Sequence, residues 1–318
     1  MDIRSALRKS SIELREKGII TPELDSRILL EHALEKDSVF LYANSSRPLT
    51  NLEYDRFRRF IRKREKGIPI AYVTGHKEFF GYDFLVNKYV LVPRPESEFL
   101  IEHAIENIKS RFTIPNKRIP NDQRSIINIL DMGTGSGCLI ISLAKELSNL
   151  SVLSSQFCFF ASDISIKTLN VAKKNAKKIL FEEENRELKN FSLCSNNNIK
   201  FFHSDLFSNR KLHKKFDVII ANLPYVPKEQ ISSLRSQDLG IAHEPQSAIF
   251  ADDNGTAIII KFLEQSKKYL SKNGLILIEL DPRNAIKLEL FARKYYPKAK
   301  IQLERDLAGL LRYLIINI

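Results

Sequence analysis

The sequence predicts an α/β protein, with a mostly parallel seven-stranded sheet covered by helices and a small helical domain at the N-terminus. Three observations predict it. Residues 1 to about 68 carry helical periodicity and no strand-like run. From Ile126 onward short apolar runs alternate with helical patterns, the signature of a parallel sheet buried on both faces. Several of these runs end on Gly, Asp or Asn, residues suited to a crevice at the carboxyl ends of the strands.

In the N-terminal part, "TPELDSRILLEHALEK" places Thr21 as an N-cap and Pro22 at the first helical position, with Leu24, Ile28 and Ala33/Leu34 near the helical period. "NLEYDRFRRFIRKREKG" gives a second helix with Leu52, Phe57, Phe60 and Ile61 on its apolar side and Gly67 beyond its end. A connector follows, in which aromatic and β-branched residues surround Gly75 and Gly81 in a hairpin-like pattern. "PRPESE" then opens a helix, with Ser97 or the acids in its first turn. The expected division is a helical recognition domain at 1–68, a hairpin connector at 69–95 and an α/β domain at 96–318. Strands are expected at 126–131, 157–163, 199–203, 216–222 and 275–280, with "KIQLE" and "RYLIINI" closing the sheet. The polar stretch at 114–125 reads as a loop and that at 181–198 as a loop or helix end.

With 318 residues and a hydrophobic fraction of 43%, the chain can bury a sizeable core. No segment approaches the roughly 18–20 apolar residues of a membrane span, and the charged start lacks a signal-peptide core. No membrane role is expected, and a cytoplasmic setting fits. Cys138, Cys158 and Cys194 are widely spaced without metal-ligand pairing, and the first two sit in apolar stretches that suit buried thiols. No metal site is expected. The net charge of +12 fits either an acidic or nucleic-acid partner or a lysine-rich background, and charge alone does not choose.

The chemistry gathers at the strand ends. "LDMGTGSG" sets Asp131 and then Gly133, Thr134, Gly135, Ser136 and Gly137 between a strand and a helix. Glycines there allow a tight turn and close approach of a ligand to backbone N–H groups. The spacing differs from the dinucleotide fingerprint, and no Walker-type lysine follows, so phosphate binding is disfavoured. Asp163 ends the second strand, where its carboxylate can accept two ribose hydroxyls or cap the next helix. Asp205 and Leu206 follow the third strand, facing an adenine ring or forming a turn. "NLPY" ends the fourth strand. The Asn222 carboxamide and the carbonyl after it can hold an amino group by two hydrogen bonds, with Pro224 stiffening the turn and Tyr225 as a flat wall. The plain alternative is a strand-ending turn.

Together "LDMGTGSG", "SDIS", "SDLF" and "NLPY" resemble a class I S-adenosylmethionine methyltransferase acting on planar nitrogens. "YVTGHKEFFGYDFLVNKYVLVPRPESE", "HEPQSAIFADDNGT" and "RDLAGLLRYL" extend the resemblance over nearly the whole chain to the HemK/PrmC family. Members of that family methylate N5 of the glutamine in the GGQ loop of peptide chain release factors. The resemblance implies that Gly133 to Gly137, Asp163, Leu206 and Asn222 contact S-adenosyl-L-methionine. It also implies that Asn222, Leu223, Pro224 and Tyr225 hold the glutamine, with Asn222 and Tyr225 as the catalytic pair. It implies direct in-line transfer without a general base, by a monomer that reads the release factor through its helical domain and needs no nucleic acid. Three departures stand out: Leu223 where the family has its first proline, Leu206 where it often has tryptophan, and the segment "LIELDPRN", which replaces a glycine that usually follows the acid in this strand. "NLPY" also suits an adenine N6 methyltransferase acting on rRNA or DNA, which is the rival enzyme reading. A non-catalytic cofactor-binding scaffold is the rival from another class.

Overall fold

A computed structural model describes residues 1–112, 126–149, 156–181, 199–230 and 239–318. The stretches expected at 114–125 and 181–198 lie outside the described residues, except Phe181, which ends the helix Ile166–Phe181. The chain forms two compact units, one of Met1–His76 with Gln230–Glu244 and the other of Lys77–Glu229 with Pro245–Ile318.

The first unit is helical, with α1 (Ile3–Glu16), α2 (Pro22–Leu34), α3 (Ser38–Ala43), α4 (Asn51–Glu65) and α5 (Ile70–Thr74). Asp2 caps α1 by accepting from the Ser5 N–H, and Thr50 with Glu53 forms a capping box on α4. Thr21 stands at the N-cap position of α2, but its hydroxyl donates to Asp25 Oδ1 rather than accepting a helix N–H. Asp25 also accepts from Arg64 Nε at 2.6 Å, which ties α2 to α4. Ile3, Leu14, Leu29, Leu30, Phe57 and Ile61 fill the core. Leu24 and Leu52, expected to face inward, are 44% and 83% exposed. The capping box fixes the phase of α4 on Phe57 and Ile61, and Leu52 lies five residues before Phe57, well off that face. In α2 the buried stripe runs through Pro22, Asp25, Ser26, Leu29, Leu30 and Ala33, which leaves Leu24 outside it.

The second unit opens with the hairpin of β1 (His76–Phe79) and β2 (Tyr82–Leu85), turning at Gly81, followed by α6 (Glu98–Phe112). Then come β3 (Ile126–Met132), α7 (Cys138–Asn149), β4 (Gln156–Asp163), α8 (Ile166–Phe181), β5 (Lys200–His203) and β6 (Phe216–Ala221). The short β7 (Val226–Pro227) and β8 (Phe250–Ala251) pair with each other. β9 (Leu270–Glu279), β10 (Lys300–Arg305) and β11 (Leu311–Asn317) complete the order.

Among the described residues seven strands form one sheet in the order β10-β11-β9-β6-β3-β4-β5. All pairings are parallel except those of β11, which runs antiparallel to β9 and β10. Side chains alternate across β3, with Ile127 and Ile129 in one core and Leu130 and Met132 in the other. The sheet is therefore covered on both faces. The chain leaves β3 toward β4 and β5, then returns across it to β6. This reversal opens a crevice at the carboxyl ends of β3 and β6. β9 begins at Leu270, five residues earlier than the sequence pattern suggests. Cys158, expected as a buried thiol, is disulfide-bonded. Among the described residues no helix is long and apolar enough to cross a membrane.

Candidate active site

A cavity of about 300 Å³ sits at this reversal of strand order. Gly133, Thr134, Gly135, Ser136, Asp163, Leu206, Asn222, Leu223 and Pro224 all line it. Gly137 and Tyr225 do not.

The glycine turn is held by backbone bonds. The N–H groups of Gly133 and Thr134 both donate to the Ser162 carbonyl at 2.9 Å, joining the turn to the end of β4. Gly133 has φ +77°, and a Cβ there would stand 2.9 Å from Leu223 Cδ2. The strand-ending turns of β3 and β6 therefore touch through a bare α-carbon. Gly137, at φ +83°, lets Ile141 pack within 2.6 Å of its missing Cβ position, so it serves the fit of α7 rather than the cavity wall.

Asp163 is not the cap of α8. Ser165 takes that role, with its hydroxyl accepting from the Thr168 N–H at 3.2 Å. The Asp163 oxygens accept from Gly135 N–H at 3.1 Å and Ser165 N–H at 2.9 Å. Each oxygen keeps a further lone pair for a donor in the cavity. Burial raises its pKa. Asp131 is fully buried. Its Oδ2 accepts from Thr134 Oγ1 at 2.6 Å, while its Oδ1 has no partner. Burial pushes its pKa up to about 7. Ser136 Oγ is likewise buried without a partner. Cys138 at the start of α7 also lines the cavity, its thiol pushed up to about 12 by burial.

Leu206 is buried in the left-handed region at φ +46°, a strained position for a leucine. The Ser204 hydroxyl donates to its carbonyl and holds it there. Asp205 borders the cavity but also pairs with Lys261 at 2.9 Å on the half-exposed rim.

At the end of β6 the Asn222 Nδ2 donates to Ser97 Oγ at 2.8 Å and to Glu279 Oε2 at 3.0 Å. Its nitrogen is thereby occupied, and Oδ1 is left as an acceptor. Tyr225 turns its hydroxyl to Glu279 Oε1 at 2.8 Å, and burial raises its pKa. The turn is braced from behind. Val226 and Pro227 pair with Phe250 and Ala251, and Gly255, at φ +86°, lies so close that a Cβ would meet the Tyr225 carbonyl at 2.0 Å. The "HEPQSAIFADDNGT" segment thus supports "NLPY" from outside.

Three contributors carry no role in the sequence reading. Ser97, expected in a helix first turn, is instead buried in a 3-10 turn before α6 and donates to Glu279 Oε2 at 2.6 Å. Tyr313 on β11 fixes that turn by donating to the Glu96 carbonyl at 2.7 Å and stacking on Phe99. Asn175, buried on α8, bonds Leu85 through both backbone groups and also donates to the Ser136 carbonyl, joining the hairpin to the glycine turn. A polar residue on a helix gives no such signal in one dimension. The wall from Lys88 to Arg94 is held partly by Thr168 Oγ1, which donates to the Tyr89 carbonyl at 2.7 Å.

The donor set fits S-adenosylmethionine. Within the cavity lining, the Asp163 carboxylate suits its ribose hydroxyls and an apolar shelf at Leu206 suits its adenine. Among the described residues no group of three or more His, Cys, Asp or Glu could hold a metal ion. Sheet order and crevice are those of the class I S-adenosylmethionine-dependent methyltransferase fold.

Residues 5–75 match the PrmC N-terminal domain model, and residues 137–279 match that of the Eco57I restriction-modification methylase. The release factor glutamine methyltransferase of Rhodopirellula baltica is 33% identical over 295 residues, covering 93% of this chain and 89% of the relative. That of Buchnera aphidicola is 31% identical over 295 residues, covering 93% and 91%. The bifunctional methyltransferase of Rickettsia conorii is 32% identical over 289 residues, covering 87% of this chain but 51% of its own length. The chain therefore spans about half the length of such bifunctional relatives. It belongs to the family of release factor glutamine methyltransferases.

Proposed function

We propose that this protein transfers a methyl group from S-adenosylmethionine to the side-chain amide nitrogen, N5, of the GGQ-motif glutamine of peptide chain release factors. The observation that carries the proposal is the fixed Asn222 carboxamide, whose nitrogen is held by Ser97 and Glu279 so that its oxygen remains to accept an N–H from the cavity. A primary amide presents two N–H groups, and Asn222 Oδ1 with the Leu223 carbonyl offers two acceptors. Gly133 to Ser136, Asp163, Leu206 and Asn222 would hold the cofactor, with Gly137 seating α7 behind them, and Asn222, Leu223 and Pro224 would hold the glutamine, with Tyr225 bracing their turn.

When bound, the cofactor supplies an electrophilic methyl group. An amide nitrogen is a poor nucleophile because its lone pair is delocalised into the carbonyl. Acceptance of both N–H groups orients the nitrogen and raises its electron density. Orientation of this kind can lower a barrier by several kcal/mol, within the roughly 7–11 kcal/mol open to well-positioned reactants. No acid or base is assigned, since the methylated nitrogen becomes strongly acidic and loses its proton to water. Asn222 and Tyr225 are the proposed catalytic pair, Tyr225 through the wall and turn it stiffens.

Within this reading the helical domain at 1–68 recognises the body of the release factor, 69–95 is the connector, and 96–318 carries out transfer. The protein works as a monomer in the cytoplasm, with no membrane or nucleic acid required. The competing reading, adenine N6 methylation of rRNA or DNA, draws on the net charge of +12 and on the match to the Eco57I methylase. The deciding experiment supplies methyl-labelled S-adenosylmethionine to a native release factor and to one with its GGQ glutamine changed to alanine. Label on the native factor alone is expected. Label on RNA or DNA and on neither factor would overturn the proposal in favour of its rival.

A further inference from the structure

We propose that Glu279 is a positioning residue that fixes the orientation of the Asn222 carboxamide, and so selects for a substrate nitrogen that presents N–H groups. The inference rests on the amide-transfer reading above and adds the group that sets it.

Glu279 closes β9 beside the end of β6, is 1% exposed, and is absent from the cavity wall. It touches no substrate. Its Oε2 accepts from Ser97 Oγ at 2.6 Å and from Asn222 Nδ2 at 3.0 Å, and its Oε1 accepts from Tyr225 Oη at 2.8 Å. The Ser97 hydroxyl has one proton, and it is given to Glu279. Toward Asn222 at 2.8 Å it can only accept. Both partners of the carboxamide on this side are therefore acceptors. A flipped Asn222 would set its oxygen against two oxygens, so the nitrogen must face inward and Oδ1 toward the cavity.

Among the described residues Glu279 has no salt bridge. The nearby Arg312 is paired instead with Asp306 at 2.7 Å. A buried carboxylate held only by neutral donors is costly to the fold, and an apolar residue of similar volume would cost less. Its geometry serves the site. Tyr225 and Ser97 face it directly, while Arg312, Glu96 and Tyr313 act on it through space. Burial is the largest influence and raises its pKa. Protonation would convert one of the two acceptor oxygens into a donor and weaken the carboxylate's hold on Asn222 or Tyr225.

The test compares the parent with Glu279→Gln, whose amide nitrogen replaces one of the two carboxylate acceptors with a donor at every pH. In methyl transfer to a release factor, kcat is expected to fall about 10²-fold, with the cofactor Kd and release-factor KM within about threefold of the parent. The fall of kcat on the acid side should be present in the parent and absent from the variant. Independently of activity, the Asn222 side-chain amide signal, identified by its loss in Asn222→Asp, should move with pH in the parent and stay still in Glu279→Gln. Unchanged kcat together with an Asn222 signal indifferent to the substitution would overturn the assignment. If Glu279→Gln does not fold, Ser97→Ala removes one of the two acceptors. A roughly tenfold loss in kcat at constant cofactor affinity is then expected, and no loss would equally overturn it. A parent that shows the pH-linked Asn222 signal yet methylates no release factor supports the role of Glu279 and fails only the release-factor reading.

Discussion

Asn222→Ala removes the acceptor proposed for the substrate nitrogen and leaves Glu279 with two donors instead of three. We expect kcat to fall at least about 10²-fold while cofactor affinity, measured by titration calorimetry, stays close to the parent. Comparable turnover in the two proteins would rule out the role. Leu223→Pro is expected to keep the parent rate or raise it. Among the described residues the Leu223 N–H makes no hydrogen bond, so proline deletes nothing needed, and it holds Asn222 in the extended region where a strand end belongs. A collapse of turnover with the fold intact would show that the leucine packed on Gly133 is required. At this scale the sequence marks residues that end strands beside the crevice, because residue type and position coincide there. It does not mark Glu279, Ser97 or Asn175, whose importance comes from partners 39 to 182 positions away in the chain.

Elements are legible where one face is buried and periodicity is clean, as in β3, β4 and β6. They are less so where a cap sets the phase. Leu52 looks like part of an apolar stripe, yet the capping box at Thr50 turns the helix so that Phe57 and Ile61 face the core and Leu52 faces solvent. Ser165 rather than Asp163 caps α8, a two-residue distinction that composition cannot draw. The turn at Asp252–Gly255 supports a prediction of its own. Gly255→Ala adds a Cβ at φ +86° against the Tyr225 carbonyl, and no flexible side chain can yield there. The left-handed position alone costs on the order of 1–2 kcal/mol. We expect the melting midpoint to drop by at least about 2 °C, with kcat lost more steeply than cofactor affinity. A variant that melts and turns over like the parent would mean that this brace does not hold the "NLPY" turn.

Over the whole molecule, buried carboxylates with raised pKa contribute stability that is lost as pH rises, while His32, lowered by burial, acts in the opposite direction below its ordinary 6.5. Asp131 moves from 3.8 to about 7 on folding, so the native state holds a proton that the unfolded chain releases. Its contribution to stability is full below pH 3.8 and is lost as pH rises toward about 7. Asp163 and Glu279, also raised, act in the same direction. Asp281 and Asp306, lowered, act below the ordinary carboxylate range and outside this window. Without cofactor, the melting midpoint should therefore fall between about pH 5 and pH 8, and Asp131→Asn should flatten that slope. A midpoint that rises over this range would contradict the assignment. Sheet order was only partly legible from the sequence. The alternation of strands and helices announces a parallel sheet, and the closing segments look like strands, but their antiparallel docking beside β9 depends on contacts that no local pattern states.

Under the proposed amide transfer, the inward-facing nitrogen of Asn222 has a consequence for substrate ageing. Glutamine side chains deamidate to glutamate, which differs from its parent by little in size but presents lone pairs where the amide presents hydrogens. An oxygen-lined grip held rigid from behind meets such an imposter with electrostatic repulsion rather than with a loose fit. The pocket would therefore discriminate damaged from intact protein at the level of a single functional group, and leave the aged copy unmodified.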